Sequence, residues 1–403
     1  MKVLVTHPGR QHSHQAALAL EEAGMLAGYW AGVPAVELHR RWIPDRLWRR
    51  FVRYAPVPLP AQRVRWAPWV PALRRLGDRA LPSRLAAWTD FLACRLFDRW
   101  AAARLRPRTA AGAVVACEIS ALATFRKARR LGMVTILDAA ATHHRTQDRL
   151  HGFAEPAALH RRITAVKDAE IALADHVLTV SELARQSYLE AGVPPERVHC
   201  VSLGVDVDLF APGEEQVEAQ DGEGTTFVFV GAASRIKGLD LLLEAFARVR
   251  GAKPVARLLL IGPPGDASSL LGPPVPAGVT VLGPLSQADL ARRLRAADCL
   301  VLPSRNESFG MVVPEALAAG LPVLVSDRAG AAALIQEGRN GWVVPAGDAG
   351  ALARRMLHAA GSREELCRMR EACRRSAAAC DWSAYGERLS FLLRSLLEGQ
   401  PPP

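Results

Sequence analysis

Short apolar runs alternate with longer amphipathic stretches along the chain. Runs of three to five mostly apolar residues predict buried strands at 3–6, 113–116, 134–137, 176–180, 199–202, 226–230, 257–261, 279–282, 299–302 and 323–325. Between them, apolar residues spaced three and four apart predict helices, among them 16–23, 119–131, 157–174, 239–250 and 311–319. Strands that alternate with helices imply βαβ connections and mostly parallel sheets. The expected fold class is therefore α/β.

The alternating pattern occurs twice, which predicts two doubly wound, Rossmann-like domains facing across a cleft. The first is expected over residues 1–204, with an insertion at 40–110 that looks helical. An acidic stretch with few large apolar residues predicts a linker at 205–225, and the second domain follows over 226–384. Residues 385–403 are expected to form a helix that packs back on the first domain, and a tail. Ligands of such sheets bind outside the carboxyl ends of the strands.

Charge is distributed unevenly along these 403 residues, whose formal net charge is +11. Residues 1–110 contain 19 lysines and arginines against 7 aspartates and glutamates, and they also contain seven of the nine tryptophans. Arginine alternates with tryptophan most densely at 39–53, a composition that suits an anionic membrane surface. The alternative is that Trp42, Trp48 and Phe51 pack inward while the arginines are solvated. Nucleic acid is not an expected partner, since no motif for it is present.

The compartment is predicted from cysteine usage and hydropathy. The seven cysteines are scattered and form no CxxC pair, and no run of eighteen apolar residues occurs. We expect a cytoplasmic protein with peripheral contact to the inner face of the cytoplasmic membrane through 39–53.

The segment ESFGMVVPE contains two glutamates, Glu307 and Glu315, eight positions apart. A predicted strand precedes it, and a predicted helix runs through its second half. The first amides of a helix lack internal partners, so such a turn is suited to binding an anion. Carboxylates have the wrong sign for phosphate, and they suit the hydroxyls of a bound sugar nucleotide instead. The alternative is that Glu315 interacts with the dipole of its own helix and Glu307 is a solvated loop charge.

A second loop follows the predicted strand 226–230 and reads GAASRIKG, residues 231–238. Its small residues would let the backbone approach a ligand, and Arg235 and Lys237 would neutralise a diphosphate. Two basic residues in a loop are also common as plain surface charge.

Together these segments resemble the retaining family 4 glycosyltransferases of GT-B fold. The resemblance rests on three segments: VGAASRIKGLDLLLEAF, VLGPL with ADCLVLPS, and the paired glutamates with ALAAGLPV. Two further segments, ADHVLTVSE and SLGVDVDLFAP, extend the resemblance toward the N-terminus. It is strong over 174–384 and weaker over 1–173. Ala232 occupies a position where the family usually has arginine, Leu203 one where it has asparagine, and His7 to His14 replace the usual Gly-Gly loop.

The resemblance implies roles for individual residues. Lys237 and Arg235 would hold the nucleotide diphosphate, Glu307 the donor-sugar hydroxyls and Glu315 the ribose. The resemblance also implies that the backbone of Phe309, Gly310, Met311 and Val312 contacts the sugar and phosphate, and that the loop backbone at Gly231 lies in the donor site. Leu282 and Gly283 would border the base, and the loop with Gly9 and Arg10 would close over the diphosphate.

Histidines raise the question of a metal site. The resemblance implies that a histidine near 138–144 contacts the donor sugar; His143 or His144 is the expected match, with Asp138 as a competitor. Three roles stay open for His12 and His14: a position at the start of a helix, contact with the acceptor, or a surface position without function. Asp206-Val207-Asp208 has the form of a metal-binding DxD, yet its place in the linker match favours a structural role. No metal is expected.

The predicted function is transfer of a hexose, with retention, from a UDP- or GDP-linked sugar to a hydroxyl acceptor. Cell-envelope polysaccharide, glycolipid or glycoside synthesis is the expected setting, and no cofactor other than this co-substrate is expected. Two alternatives stay open: a sugar-nucleotide epimerase of the same fold, and a catalytically idle sugar- or envelope-binding protein.

Overall fold

The computed structural model describes residues 1–32, 57–107, 109, 111–153, 155–211 and 224–398. Two compact units divide the chain. Unit 1 comprises residues 1–180, 185–201 and 385–403, and unit 2 comprises residues 181–184 and 202–384. The predicted membrane segment 39–53 and most of the predicted linker lie outside the described residues. The domain boundaries inferred from the sequence stay predictions.

Unit 1 contains a parallel sheet of seven described strands in the order β3-β2-β1-β4-β5-β6-β7. The strands are β1 (Val3–His7), β2 (Leu26–Ala31), β3 (Val64–Trp66), β4 (Ala113–Cys117), β5 (Val134–Ala139), β6 (His176–Thr179) and β7 (Val198–Cys200). The helices are α1 (Ser13–Glu22), α2 (Trp69–Ala80), α3 (Ser83–Arg104), α4 (Leu122–Arg130), α5 (His144–His151) and α6 (Ala157–Leu173). Two further helices, α7 (Glu182–Glu190) and α14 (Trp382–Glu398), belong to unit 1 for most of their length.

Unit 2 contains a parallel sheet of six described strands in the order β10-β9-β8-β11-β12-β13. The strands are β8 (Thr226–Val230), β9 (Arg257–Ile261), β10 (Val279–Gly283), β11 (Cys299–Leu302), β12 (Val323–Ser326) and β13 (Gly341–Val344). The helices are α8 (Val207–Phe210), α9 (Leu239–Ala252), α10 (Gln287–Ala296), α11 (Val312–Ala318), α12 (Ala349–Gly361) and α13 (Arg363–Ala378). The central strands β8, β11 and β12 are almost wholly buried, which explains their continuous apolar runs.

The turn after β4 in unit 1 is held by a buried carboxylate from another helix. Glu170, on α6, accepts hydrogen bonds from the amides of Ile119, Ala121 and Leu122 at 2.7, 2.8 and 3.0 Å. Arg95 on α3 lies 3.6 Å from the same carboxylate. Ile119 has a φ of 68°, a left-handed conformation that is strained for a β-branched residue. Glu170 therefore caps the start of α4, which has no side-chain cap of its own.

Several predicted elements need correction. Residues 119–121 are not helical, because the strained turn at Ile119 delays the start of α4 to Leu122. The insertion 40–110 is not helical throughout its described part, since β3 pairs with β2 at the sheet edge. Three strands, β2, β3 and β13, were not predicted: β2 is interrupted by Gly28, and β3 and β13 are only three and four residues long.

No helix in the described part of the chain has the length and hydropathy needed to cross a lipid bilayer.

Candidate functional site

The two sequence motifs of unit 2 begin side by side. Residues of β8 pair with β11 on one side and with β9 on the other, so the order of strands along the chain reverses between β8 and β11. Such a reversal leaves a crevice at the carboxyl ends of the two strands. The loop 231–238 follows β8, and the loop 303–311 follows β11. The fold therefore brings Lys237 and Glu307 to the place where ligands of doubly wound sheets bind.

The two loops are fixed against each other by close backbone packing and by one arginine. Gly238 has a φ of +75°, and a Cβ added there would lie 2.1 Å from the Pro303 carbonyl oxygen. Arg305 donates to both carboxylate oxygens of Asp240 at 2.7 and 2.8 Å, and to the carbonyl oxygen of Arg235 at 2.6 Å. Burial alone would raise the pKa of Asp240, but hydrogen bonds and charge from Arg305 lower it. No sequence pattern predicted this role of Arg305.

Lys237 and Glu307 form an ion pair through Nζ and Oε2. Their side chains are 28% and 16% exposed, so the pair is open to a ligand without being fully solvated. Burial lowers the pKa of Lys237. A Cβ at Gly310 would lie 3.1 Å from Glu307 Cγ, and Gly310 has a φ of +95°, so glycine is required beside this carboxylate. The structure thus brings together two residues that were predicted to bind adjoining parts of one donor.

Glu315 is buried in the first turns of α11, and its carboxyl group makes no hydrogen bond to any described residue. Burial raises its pKa to about 8. Its place in the first turn also allows an interaction with the helix dipole, so the alternative role predicted for Glu315 stays open. A buried carboxyl group without a partner is costly unless something else supplies the donors.

Further polar groups beside these residues lack partners in the described part of the chain. The amides of Phe309, Gly310, Met311 and Val312 donate to no described residue. The buried hydroxyl groups of two serines, Ser234 and Ser304, are likewise without partners. Neither serine was singled out from the sequence, where a serine in a loop carries no distinctive signal.

An apolar cavity of about 310 Å³ opens at the carboxyl ends of β8, β9 and β10. Glycines form much of its wall, and a Cβ at Gly262 would lie 2.1 Å from the carbonyl oxygen of Gly231. A Cβ at Gly231 would in turn lie 3.9 Å from Lys237 Cδ, so the cavity adjoins the ion pair. Gly283 and Val281 line the cavity, whereas Leu282 does not; the contact of Leu282 and Gly283 with a nucleotide base stays a prediction. The wall also includes Phe229, Leu260, Pro263, Leu271 and Val275.

Arg235 is the predicted donor-site residue that lies farthest into solvent. Its side chain is 60% exposed, and its guanidinium group lies 3.6 Å from Asp240. Neither Lys237 nor Glu307 is among its ion-pair partners. Its compensation for the arginine missing at Ala232 stays a prediction.

In unit 1, a histidine of the loop after β1 forms a buried pair with an aspartate of β5. His12 Nε2 lies 3.0 Å from Asp138 Oδ1, at the end of β5. Burial alone would lower the pKa of His12, but the charge and hydrogen bond of Asp138 raise it. The amide of Gly9 donates to His7 Nδ1 at 2.8 Å. Asp138 is therefore engaged by His12, whereas contact of Gly9 and Arg10 with a diphosphate stays a prediction.

His143 caps the start of α5, where its Nδ1 accepts the amide of Arg145 at 3.2 Å. Burial lowers the pKa of His143 to about 4, so its ring is neutral at pH 7. Since Nδ1 is the acceptor, the proton of the neutral ring lies on Nε2, which is then a hydrogen-bond donor. This tautomer suits contact with a sugar hydroxyl, the role predicted for His143.

Three side chains in unit 1, His143, His144 and Asp168, offer ligand atoms within 4.8 Å of one another. At His143, Nδ1 already accepts the amide of Arg145 at 3.2 Å. His144 Nε2 contacts Asp168 Oδ1 directly at 3.2 Å. In the second candidate motif, Asp206 caps α8 by accepting the amide of Leu209, a structural role. The absence of a metal requirement stays a prediction.

Part of the chain matches a known protein family. Residues 224–361 match the family model described as glycosyl transferases group 1. The chain is 33% identical to D-inositol 3-phosphate glycosyltransferase 1 of Catenulispora acidiphila, over 58% of this chain and 60% of that protein. It is also 33% identical to the D-inositol 3-phosphate glycosyltransferase of Mycobacterium tuberculosis, over 51% of this chain and 45% of that protein. The matches thus span about half the length of these curated relatives.

Solved structures resemble the whole chain at low sequence identity. Sucrose-phosphate synthase from Thermosynechococcus elongatus superposes with a TM-score of 0.71 at 19% identity, covering 99% of this chain and all of that one. HepE from Anabaena, solved in complex with UDP, gives 0.66 at 15% identity, covering 98% of this chain and all of that one. The chain thus has the predicted GT-B fold, and its residues 224–361 form a glycosyl transferases group 1 domain homologous to that of the D-inositol 3-phosphate glycosyltransferases.

Proposed function

We propose that this protein is a retaining glycosyltransferase that moves a hexose from a UDP- or GDP-linked sugar to a hydroxyl acceptor. The observation that carries the proposal is the Lys237–Glu307 ion pair at the β8–β11 crevice of unit 2. Beside it lie an apolar cavity of about 310 Å³ and a buried carboxyl group without a protein partner. These features supply the three kinds of contact that a nucleotide-sugar needs.

Donor binding follows from the chemistry of each group. The apolar cavity between the ends of β8, β9 and β10 takes the flat nucleobase, which needs a shallow site with little side-chain bulk. Glu315 accepts hydrogen bonds from the ribose hydroxyls, which provide the donors that it lacks in the protein. The diphosphate pairs with Lys237, since two phosphates offer more negative charge than one carboxylate.

Arrival of the diphosphate changes the state of Glu307. In the unliganded pair, Lys237 neutralises Glu307, and its oxygens are less available to a sugar. Once Lys237 turns to the diphosphate, the Glu307 carboxylate is free to accept hydrogen bonds from the hydroxyls of the hexose. Donor recognition is therefore coupled: the diphosphate binds first to the cation, and the sugar then binds to the released anion.

The transfer step needs charge stabilisation more than a protein nucleophile. The bond between the anomeric carbon and the diphosphate oxygen breaks, the bond to the acceptor oxygen forms, and the acceptor proton passes to the departing phosphate on the same face. Lys237 and the unpaired amides near Phe309 and Gly310 stabilise the negative charge that develops on the leaving group. Arg235, whose side chain is 60% exposed, contributes only long-range charge.

The similar proteins suggest what to try first as substrates. HepE was solved with UDP and also with UDP-glucose, and the matched relatives are named for D-inositol 3-phosphate as acceptor. UDP-linked hexoses are accordingly the first donors to test, with phosphorylated polyols among the hydroxyl acceptors. The proposal includes independence from divalent metal and a peripheral association with the membrane in cell-envelope synthesis.

A thermal-shift screen of the purified protein against UDP, GDP, ADP and TDP, and their sugars, identifies the donor class. We expect stabilisation by one nucleotide series and no change when EDTA is added. Nucleoside diphosphate release that requires an acceptor then distinguishes transfer from epimerisation. Stabilisation by no nucleotide would overturn the proposal in favour of an idle binding protein.

Paired variants test the coupling of Lys237 to Glu307. Glu307→Ala is expected to lower kcat/KM for transfer by about 100-fold or more while the affinity for free nucleoside diphosphate stays the same or rises, because Lys237 is released. Lys237→Ala is expected to weaken both. Controls are Glu244→Ala and Lys253→Ala, which alter exposed charges on and just after α9. Equal losses of transfer and nucleotide affinity in Glu307→Ala would contradict its assignment to the sugar.

A further inference from the structure

A second cavity of unit 2 lies at the amino-terminal edge of its sheet. Its volume is about 470 Å³, and its wall comes from one side of α13 and from the turn 336–339. This turn comes directly before β13, whereas the loops 231–238 and 303–311 leave the carboxyl ends of strands in the same parallel sheet. Protein cavities of about 300–1,000 Å³ commonly hold small molecules. The cavity is therefore a candidate binding site at the opposite end of the sheet from the donor site.

One buried asparagine fixes the two walls of this cavity against each other. Asn340 has no exposed surface, and its Oδ1 accepts the amide of Gln336 at 2.7 Å. Its Nδ2 donates to the carbonyl oxygen of Leu334 at 3.0 Å and to Ser376 Oγ, on α13, at 2.9 Å. The polar atoms of this side chain thus connect the turn to the helix. The cavity therefore has a fixed frame before any ligand arrives.

Positive charge dominates the described wall of the cavity. It includes three arginines, Arg339, Arg368 and Arg375, and one carboxylate, Glu365. The carboxylate already has a partner, since Glu365 Oε2 lies 2.9 Å from Nε2 of His358 on α12. The wall therefore presents an excess of cationic hydrogen-bond donors to a ligand.

Two of these three arginines have no counter-ion among the described residues. The side chains of Arg339 and Arg368 make no hydrogen bond or ion pair with any residue that the structure describes. Arg375 pairs with Glu371, but both side chains are 70% exposed, and an exposed pair of this kind is weak. Guanidinium groups bind phosphate oxygens through two parallel hydrogen bonds. A phosphate group is therefore the anion that this wall suits best.

The rest of the wall suits the carbon skeleton of a ligand. Met369, which is buried, and the small side chains of Ala372 and Ala379 line the cavity. The Ser376 hydroxyl accepts from Asn340, and no described acceptor takes its own hydrogen, so it can donate to a ligand oxygen. Inorganic phosphate would leave the apolar part of the wall in contact with water. A phosphate ester covers that part and also pairs with the arginines.

We propose that this cavity binds a small phosphate monoester of about the size of a sugar phosphate. Arg339 and Arg368 bind the phosphate group, and the Ser376 hydroxyl donates to one of the ligand oxygens. The carbon skeleton lies against Met369 and Ala372. The proposal does not depend on the proposed transferase activity, because none of these residues belongs to the donor site.

Isothermal titration calorimetry of the full chain tests the proposal, with ribose 5-phosphate and inorganic phosphate as ligands at constant ionic strength. We expect ribose 5-phosphate to bind more tightly, because only the ester covers the apolar part of the wall. Arg339→Ala and Arg368→Ala are each expected to weaken the binding of both ligands about tenfold. The matched control is Arg293→Ala, which removes an exposed arginine of α10 outside the cavity.

A further variant, Ala372→Leu, narrows the cavity without changing its charge. Leucine favours helices nearly as well as alanine, so α13 is expected to keep its structure. The larger side chain should weaken the binding of ribose 5-phosphate about tenfold, because it occupies the place of the carbon skeleton. The affinity for inorganic phosphate should change much less.

Contrary results would overturn the proposal in distinguishable ways. No binding of either ligand, or parent affinities in both arginine variants, would show that the cavity binds no phosphate group. Equal affinities for the two ligands, or an unchanged affinity of Ala372→Leu for ribose 5-phosphate, would overturn the assignment to a phosphate monoester. Loss of ribose 5-phosphate binding in Lys237→Ala would assign that binding to the donor site instead. Nucleotide-induced stabilisation, measured on every variant, reports on the transferase proposal separately.

Discussion

Each unit buries a glutamate near the carboxyl end of its sheet, and the two glutamates have opposite surroundings. In unit 1, Glu170 accepts three backbone amides and lies 3.6 Å from Arg95. In unit 2, Glu315 has no described hydrogen-bond donor at all. Burial raises the pKa of both carboxyl groups, although the amides oppose the rise at Glu170. Burial alone therefore does not distinguish a structural carboxylate from a binding one, whereas the presence or absence of protein donors does.

The comparison extends to the turns that these glutamates accompany. The turn after β4 is already satisfied, because Glu170 supplies the acceptor for the strained residues around Ile119. The loop after β11 leaves the amides at Phe309 and Gly310 without described partners. Unit 1 thus completes its turn internally, whereas in unit 2 these amides have no described acceptor and Glu315 has no described donor.

The largest expected effect comes from Glu170→Ala. The substitution leaves the amides of Ile119, Ala121 and Leu122 without their acceptor, and we expect the free energy of unfolding to fall by about 3–5 kcal/mol. Urea unfolding measures the loss, with Glu196→Ala, an exposed glutamate, as the control. Nucleotide affinity of the protein that remains folded should not change. A loss below about 1 kcal/mol would mean that Glu170 does not hold the turn.

Glu315→Gln should act in the opposite direction on stability. Removing a buried, unpartnered ionisable group is expected to raise the melting temperature at pH 8, while the affinity for nucleoside diphosphate falls about 10- to 100-fold because the ribose loses a charged acceptor. Isothermal titration calorimetry and thermal unfolding give the two quantities. If the variant is less stable and binds nucleotide normally, the comparison between the two glutamates fails.

Glu315 also makes the free energy of unfolding depend on pH. The pKa of Glu315 is about 8 in the folded chain and 4.5 is its ordinary value, so its stabilising contribution is complete below about pH 4.5 and is lost as the pH rises through 8. The free energy of unfolding of the parent protein should therefore fall between pH 5 and pH 9 more steeply than that of Glu315→Gln. The difference is at most about 5 kcal/mol over that range. Parallel slopes from urea unfolding at several pH values would place the carboxyl group in solvent instead.

Much of the fold could be predicted because central parallel strands are buried on both faces. The bounds of β8, β9 and β11 agree with their apolar runs. Edge strands such as β3, of three residues, give too short a signal to be recognised. The predicted start of α4 was wrong because Ile119, a β-branched residue, has a left-handed backbone conformation. Glu170, which is distant in the sequence, stabilises that conformation by accepting the Ile119 amide.

For the candidate site, the sequence by itself determined which residues carry suitable chemistry. Lys237, Glu307 and Glu315 were recognised because their spacing and flanking glycines form local motifs, and local motifs survive any arrangement of the rest of the chain. The same holds for the glycine at 283, which lines the apolar cavity.

Only the tertiary structure decided how those residues are paired. Lys237 meets Glu307 across 70 positions because β8 and β11 are neighbours in the sheet, and His12 meets Asp138 across 126 positions because the sheet brings the ends of β1 and β5 together. Whether Glu315 has a partner, and which arginines share the cavity beside α13, depend on the same long-range packing. Sequence fixes the chemistry of each side chain and its local periodicity, whereas contacts between distant segments depend on strand order, which no local pattern encodes.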